Sequence, residues 1–250
     1  MKNIRKIIIT ILICIILICS FFIGKYIFFH AKELKEIKEI QNIVKETTKD
    51  EDIPFNKEAF NKLKEQNEDL VGYLIWDSGI IEQPVVQSYD NNFYLRRNFN
   101  KNYYDGGVPY MDYRNSLDDD NITIYGHNYD TEPNVMFSPL NNFIDNNDYY
   151  KENATFKLYT ENNIREYIVM YAYLSTNADY QVHEYTRNTF INEKDYNDFI
   201  QETVDRNTIM PLKERIKYGN KFITLQTCKQ WNSNYKVIIV AKEILRKDYE

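Results

Sequence analysis

A cysteine, a histidine and a cation in this chain could do covalent chemistry together. Cys228 closes the first apolar β-type run of "KFITLQTCKQWNSNYKVIIV", residues 221–240, and a second run opens at Lys236. His127 stands just past another such run, in "NITIYGHNYD" at 121–130, directly after Gly126. Glycine permits a sharp turn that presents the next side chain into a cleft. Both residues end predicted strands, and strand ends at one rim of a barrel can meet. A Cys–His pair suits attack on a carbonyl: an acyl-enzyme forms and a second nucleophile releases the acyl group. Histidine supplies the proton that a leaving amine needs. A cation or backbone N–H groups stabilise the oxyanion. The bland readings stand beside these: a buried, inert cysteine, a surface histidine, and a strand-end lysine in solvent.

Other chemistries fit less well. The chain has three histidines and three cysteines. His30 adjoins an apolar run and reads as incidental, and His183 lies in a polar loop and reads as solvent-exposed. One outer cysteine and two distant histidines lack the close ligand spacing of a zinc site. No Gly-rich phosphate loop and no serine nucleophile elbow is present, so no cofactor or metal is called for. The order His then Cys disfavours papain-like proteases, which run Cys then His.

The elements that must position these residues begin with "MKNIRKIIITILICIILICSFFIGKYIFF". A basic start precedes an apolar run from Ile7 to Ile23, which Tyr26–Phe29 can extend. The run sits at the lower limit for a membrane-spanning helix. A cleaved signal peptide is the competing reading, but no small-x-small cleavage site follows the run. Bulky Leu17 and Ile18 disfavour Cys19 as a lipidation site. An uncleaved anchor over residues 1–29 follows, with Lys2, Arg5 and Lys6 kept cytoplasmic and the rest outside. The first 25 residues hold four basic residues and no acidic one. The remainder sets 27 Lys and Arg against 37 Asp and Glu, which makes it a poor nucleic-acid binder. Cys14 and Cys19 lie in the anchor, so Cys228 is the lone outer thiol and the outer portion forms no internal disulfide.

Residues 31–48, "AKELKEIKEIQNIVKETT", set Leu34, Ile37, Ile40 and Val44 at three- and four-residue spacing, an amphipathic helix within a linker at 30–55. A polar break follows at Lys49–Asp52. The catalytic domain is placed at 56–250, opening with a short helix over 56–67. Eight β-type runs follow: Val71–Trp76, Ile80–Gln87, Gly107–Asp112, Asn121–Tyr125, Thr155–Tyr159, Glu166–Leu174, Lys221–Thr227 and Lys236–Leu245. Turn-rich connections between them suggest a barrel or sandwich, a mainly β fold. A clear helix at Glu193–Arg206 falls between the sixth and seventh strands. Smaller helical segments are expected around Asn91–Arg96, Val135–Phe143 and Asp145–Tyr150. Hydrophobic residues at 43% permit a real core, and 7 Gly and 6 Pro argue against a fibrous or disordered chain.

Taken together, "TLQTC" at 224–228 resembles the TLxTC signature of sortases, and "IYGHN" at 124–128 resembles their catalytic-histidine segment. "MFSPL" at 136–140 follows in place. "LVGYLIW", "QPVVQ", "NNFYL" and "VPYMDYRN" resemble the class B subfamily in order and spacing, over roughly residues 56–245. The resemblance implies an eight-stranded β-barrel with N-terminal helices and a long helix between strands 6 and 7. It implies a cysteine transpeptidase on the outer face of a Gram-positive membrane. Such an enzyme cuts a C-terminal sorting motif of secreted proteins after Thr. It keeps the acyl half as a thioester and passes it to an amine of a cell-wall peptide or a pilin lysine. By position, Cys228 is then the nucleophile and His127 the acid. Asn91 and Tyr185 match substrate-groove positions, and Tyr125 and Thr227 flank the catalytic pair and are expected to line the same substrate cleft.

One position departs. Sortases place an arginine at the start of the last strand, where this chain has Lys236. A planar fork of donors is replaced by one compact, strongly hydrated charge that deprotonates more readily. Arg187 and Arg114 stand in only if the fold brings them near. Alternation leaves open whether Gln226 faces groove or core. Two other readings remain. An L,D-transpeptidase is disfavoured because "LQTCKQW" lacks Ser and Gly before the cysteine and Arg shortly after. A sortase-shaped binding module is disfavoured because both Cys228 and His127 are retained.

Overall fold

The β-type runs from Leu70 onward close on themselves. In the computed structural model, which describes residues 2–49, 53–129, 135–210 and 215–249, eight strands form one closed barrel. They are β1 (Leu70–Trp76), β2 (Glu82–Val86), β3 (Tyr110–Met111), β4 (Asn121–Tyr125), β5 (Thr155–Tyr159), β6 (Asn163–Ser175), β7 (Phe222–Lys229) and β8 (Asn232–Asp248). The order around the barrel is β1-β2-β3-β4-β7-β8-β6-β5. Pairing is antiparallel except at β2/β3 and β4/β7. Each of the eight strands thus has a neighbour on both sides, although β2 and β3 meet at the single pair Val86–Tyr110.

The barrel core comes from the apolar runs themselves. Leu74, Ile122, Ile124, Ile223, Leu225 and Val237 through Ala241 are all buried. The unbroken run at 237–241 is buried on both faces of β8, so the barrel is covered outside as well as filled inside. Part of that cover is α5 (Glu193–Val204), which buries Tyr196 and Phe199. Their rings lie 5.8 and 6.3 Å from that of Phe222 on β7. At the opposite side of the sequence, Trp76 stacks on Phe156 with ring centres 4.2 Å apart and donates from Nε1 to the Asn153 carbonyl. Helix α2 (Lys57–Gln66) starts at the cap Asn56, whose side chain accepts from the Ala59 N–H, and buries Phe60 and Leu63.

Several elements differ from their sequence pattern for local reasons. The run at Gly107–Asp112 shrinks to two residues, because Gly107 turns with φ +60 and Pro109 has no N–H to give the ladder. The segments expected as helix near Asn91–Arg96 and Val135–Phe143 are 3₁₀ turns at Tyr94–Arg96 and Ser138–Phe143. That near Asp145–Tyr150 is α3 (Asn147–Glu152). A further helix, α4 (Asn177–Val182), follows β6. It is announced by a capping box in which Thr176 and Asp179 satisfy each other's backbone N–H groups.

His183, at the end of α4, overturns the expectation of a solvent-exposed residue. It is 1% exposed. Its Nδ1 donates to Glu202 Oε2 at 2.8 Å, and Nε2 lies 3.1 Å from Tyr173 Oη and 3.2 Å from Thr203 Oγ1. The polar composition of 176–186 therefore belongs to helix caps and a buried network, not to a solvated loop.

The chain divides into two compact units, Met1–Asn42 and Ile43–Glu250. The first consists of helix α1 (Lys2–Thr48) as far as Asn42. Within its stretch Asn3–Phe28 an 18-residue window reaches a mean hydropathy of 3.2, and none of that window is buried. By length and composition the stretch can cross a membrane. The last turns of α1 belong to the second unit, where Val44 is buried. Most of the polar break at Lys49–Asp52 lies outside the described residues, as does the side chain of His30.

Candidate active site

Parallel pairing of β4 with β7 sets the site. Tyr125 pairs with Gln226, and Gly126 N–H then donates to the Gln226 carbonyl at 3.0 Å. His127 and Cys228, each two residues beyond that pair, therefore lie at the same rim of the barrel. Gly126 is needed here for space, not for a left-handed turn. A Cβ on it would lie 2.5 Å from the buried ring of Phe137. Phe137 N–H in turn donates to the His127 carbonyl, which fixes the backbone on the far side of the histidine.

Antiparallel pairing of β7 with β8 brings in the cation. Cys228 and Lys236 are direct cross-strand partners. Lys236 Nζ donates to Cys228 Sγ at 3.2 Å and to the Ser233 carbonyl at 3.1 Å. The position where an arginine was expected is thus occupied by a lysine in direct contact with the sulfur. Neither alternative arginine is free to replace it. Arg114 bonds Asp112, Glu184 and Thr186, and Arg187 pairs with Asp195.

His127 Nε2 lies 2.9 Å from the Leu95 carbonyl. A carbonyl only accepts, so Nε2 carries the proton and Nδ1 holds the lone pair of the neutral ring. Burial pushes the pKa of His127 below its ordinary value. The charges of Arg96 and Lys236 push the same way, and the Leu95 carbonyl opposes them. The resting ring is neutral with a proton-accepting Nδ1.

The flanking residues form two further groups. Tyr125 Oη donates to Asp112 Oδ2 at 2.6 Å, and Asn91 Nδ2 donates to the same oxygen at 3.2 Å. Arg114 bonds both oxygens of that carboxylate, from Nε and Nη2 at 3.0 Å each. Burial alone would raise the Asp112 pKa, but the bonds from Arg114 and Tyr125 outweigh it and hold the carboxyl below its usual range. Asn91 Oδ1 also accepts from Tyr113 N–H. On the other side, buried Tyr185 donates to Gln226 Oε1 at 2.7 Å. Gln226 therefore points outward to the 183–190 loop. Strand alternation sets Cys228 on the same face as Gln226 and Thr227 on the opposite one. The Thr227 hydroxyl is buried there without a hydrogen-bond partner.

Two residues of the site went unremarked in the sequence. Asp112 gathers Asn91, Tyr125 and Arg114 on one carboxylate. Asn141 lies in the 3₁₀ turn after the histidine segment. Its Nδ2 donates to the Cys228 carbonyl at 3.3 Å and to Asn128 Oδ1 at 3.2 Å, and its Oδ1 accepts from Gln230 N–H at 2.7 Å. One amide thus ties the histidine segment to the cysteine strand. The available signal was the capacity of a buried Asn to satisfy backbone at both ends of its amide.

The family model described as "Sortase domain" matches residues 78–244. The curated sortase B of Listeria monocytogenes is 29% identical over 175 residues, covering 69% of this chain and 68% of that protein. The X-ray structure of Clostridium perfringens sortase B superposes with a TM-score of 0.68 at 29% identity, over 74% of this chain and all of that one. The Staphylococcus aureus sortase B–substrate complex shares the fold, with a TM-score of 0.75 at 24% identity, over 86% and 97% of the two chains.

Proposed function

This chain belongs to the sortase family as a B-type cysteine transpeptidase, and on that premise we propose that it cleaves a C-terminal sorting motif after Thr and transfers the acyl half to an amine. The observation that carries this is Lys236 Nζ held 3.2 Å from Cys228 Sγ at the rim where His127 also emerges. In this reading the Cys228 thiol passes its proton to His127 Nδ1, and the thiolate attacks the carbonyl after Thr. Lys236 offers a charge-assisted bond to the thiolate and then to the developing oxyanion. The imidazolium protonates the leaving amine, and a thioester remains on Cys228. An acceptor amine then attacks the thioester and regenerates the thiol. Burial and the nearby ammonium disfavour the imidazolium, so the charged pair forms transiently and turnover is slow.

The same proposal places Asn91, Tyr125 and Tyr185 along the substrate groove and gives Thr227 a neighbouring place behind it. Residues 1–29 act as a single-pass anchor and 30–55 as a helical linker. Residues 56–250 form the catalytic domain on the extracellular face, and the acceptor is a peptidoglycan peptide or a pilin lysine. The hydropathy of Asn3–Phe28 supports the anchor. The test is mass spectrometry on the full chain in detergent, offered a panel of sorting-motif peptides with and without an amine acceptor. Cleavage after Thr, an adduct on Cys228 and transfer to the amine are expected, all lost in Cys228→Ala. Silence across a broad panel, with a thiol that also fails to react with alkylating reagents, would overturn the proposal.

A further inference from the structure

The amine that stabilises the sulfur is itself an acyl acceptor of the chemical class this reaction uses. Lys236 Nζ sits 3.2 Å from Cys228 Sγ, and backbone register holds the two residues opposite each other. In the acyl-enzyme the carbonyl carbon is bonded to that sulfur. It is one covalent bond from an atom already in contact with a primary amine. Reacting atoms held at about 3–3.5 Å are in range for attack, and such positioning is worth large effective concentrations. An arginine in this place would be inert, because guanidinium stays protonated and is not a nucleophile. A lysine ammonium can lose its proton.

Acylation leaves the amine's second hydrogen bond in place. The Ser233 carbonyl still accepts from Nζ and keeps the amine at the rim.

We propose that Lys236 is a self-modification site, taking the acyl group from Cys228 by an S-to-N transfer when no acceptor amine is bound. The inference rests on the sortase reading. The Nζ lone pair attacks the thioester carbonyl, a C–N bond forms and the C–S bond breaks. The proton lost from nitrogen goes to the departing thiolate, and no oxidant or other reactant is needed. The product is an amide on Nζ and a free Cys228 thiol. Unlike the thioester, the amide is not turned over, so each event removes one molecule of enzyme. External acceptor amines compete for the same thioester and lower the yield. Higher pH raises the yield by supplying neutral amine.

The test uses the full chain in detergent with the benzyl thioester of acetyl-threonine. This small acyl donor exchanges with a reactive thiol whatever the sorting motif. Intact mass is read before and after hydroxylamine, which removes thioesters and leaves amides, and the resistant adduct is mapped by proteolysis. The expected result is a labile adduct on Cys228 followed by a resistant one on Lys236. The resistant adduct should grow with time and pH, shrink with added glycine amide, and be absent in Cys228→Ala and Lys236→Arg. A labile Cys228 adduct with no resistant product overturns the inference and leaves the sortase reading standing. A resistant adduct on another lysine, Lys229 included, or one that persists in Cys228→Ala, overturns it as well. No adduct of either kind removes Cys228 as an acylatable nucleophile, and both readings fall together.

Discussion

Cys228 and Lys236 face each other across an antiparallel pair, so backbone register as well as charge holds the ammonium against the sulfur. Removing the ammonium by Lys236→Ala should lower kcat by about 10²–10³, the range for loss of one oxyanion donor. Lys236→Arg should retain most of the activity, because charge and reach remain and the donors are set in a planar fork. Single-turnover measurements with a sorting-motif peptide decide this, and an unchanged kcat in Lys236→Ala would end the proposed role. His127 makes a separate residue-scale prediction. Its pKa is lowered chiefly by burial, with a contribution from Lys236. An NMR titration should therefore give a midpoint below the ordinary histidine value of about 6.5. Lys236→Ala should shift that midpoint upward, because a like charge is removed. Cys228, His127 and the departure at Lys236 could be found in the sequence because motif residues are adjacent along the chain. Asp112 and Asn141 could not. Apart from Arg114, two residues from Asp112, the partners that matter lie far off in sequence, and only the fold makes one carboxylate or one amide the meeting point.

At the scale of elements, the segment from α4 to α5 is held by a buried histidine. His183 bonds Glu202 on α5 through Nδ1, and Tyr173 on β6 and Thr203 on α5 surround Nε2. Tyr185, whose hydroxyl reaches Gln226 on the cysteine strand, is two residues further on. His183→Ala would leave buried polar partners unsatisfied, at a cost of about 1–3 kcal/mol. Denaturant unfolding should show that loss, and an undiminished midpoint would remove the network's role. The pH dependence has a definite sign. Burial lowers the folded pKa of His183. Glu202 opposes the shift, while Arg206 and Arg187 add to it. Between the folded pKa and the unfolded value of about 6.5, the unfolded chain holds a proton that the folded chain does not. The contribution of His183 is therefore present above about pH 6.5 and is lost as pH falls below it. Comparing the wild type with His183→Ala across that range isolates it. Alternating or continuous apolar runs located all eight strands, because burial in a barrel leaves a period in the sequence. Helix α4 left none. Six residues are too few to show a period, and its polar residues cap and pair within the fold, which composition reads as a loop.

At the scale of the whole molecule, charge and hydropathy are divided along the chain. The basic residues Lys2, Arg5 and Lys6 precede an apolar helix stretch, and the acidic excess lies beyond it. Positive charges close to a membrane span set its orientation, and distant acidic residues contribute little. The three basic residues should thus keep the N-terminus cytoplasmic and put the barrel outside. The cysteines report on this, because Cys14 and Cys19 lie in the apolar stretch and Cys228 lies in the barrel. In intact cells, a thiol reagent that cannot cross membranes should label Cys228 alone. Neither a small permeant reagent nor opening the membrane with detergent should then add to the barrel labelling, if every copy faces outward. Replacing Lys2, Arg5 and Lys6 with Gln removes the orienting charges without altering the barrel. A fraction of Cys228 should then become protected from the impermeant reagent and recover its labelling in detergent. If protection does not change in that variant, the first residues do not orient the chain. If wild-type Cys228 is protected from the start, the barrel faces the cytoplasm, where neither a secreted substrate nor a cell-wall amine could reach the site.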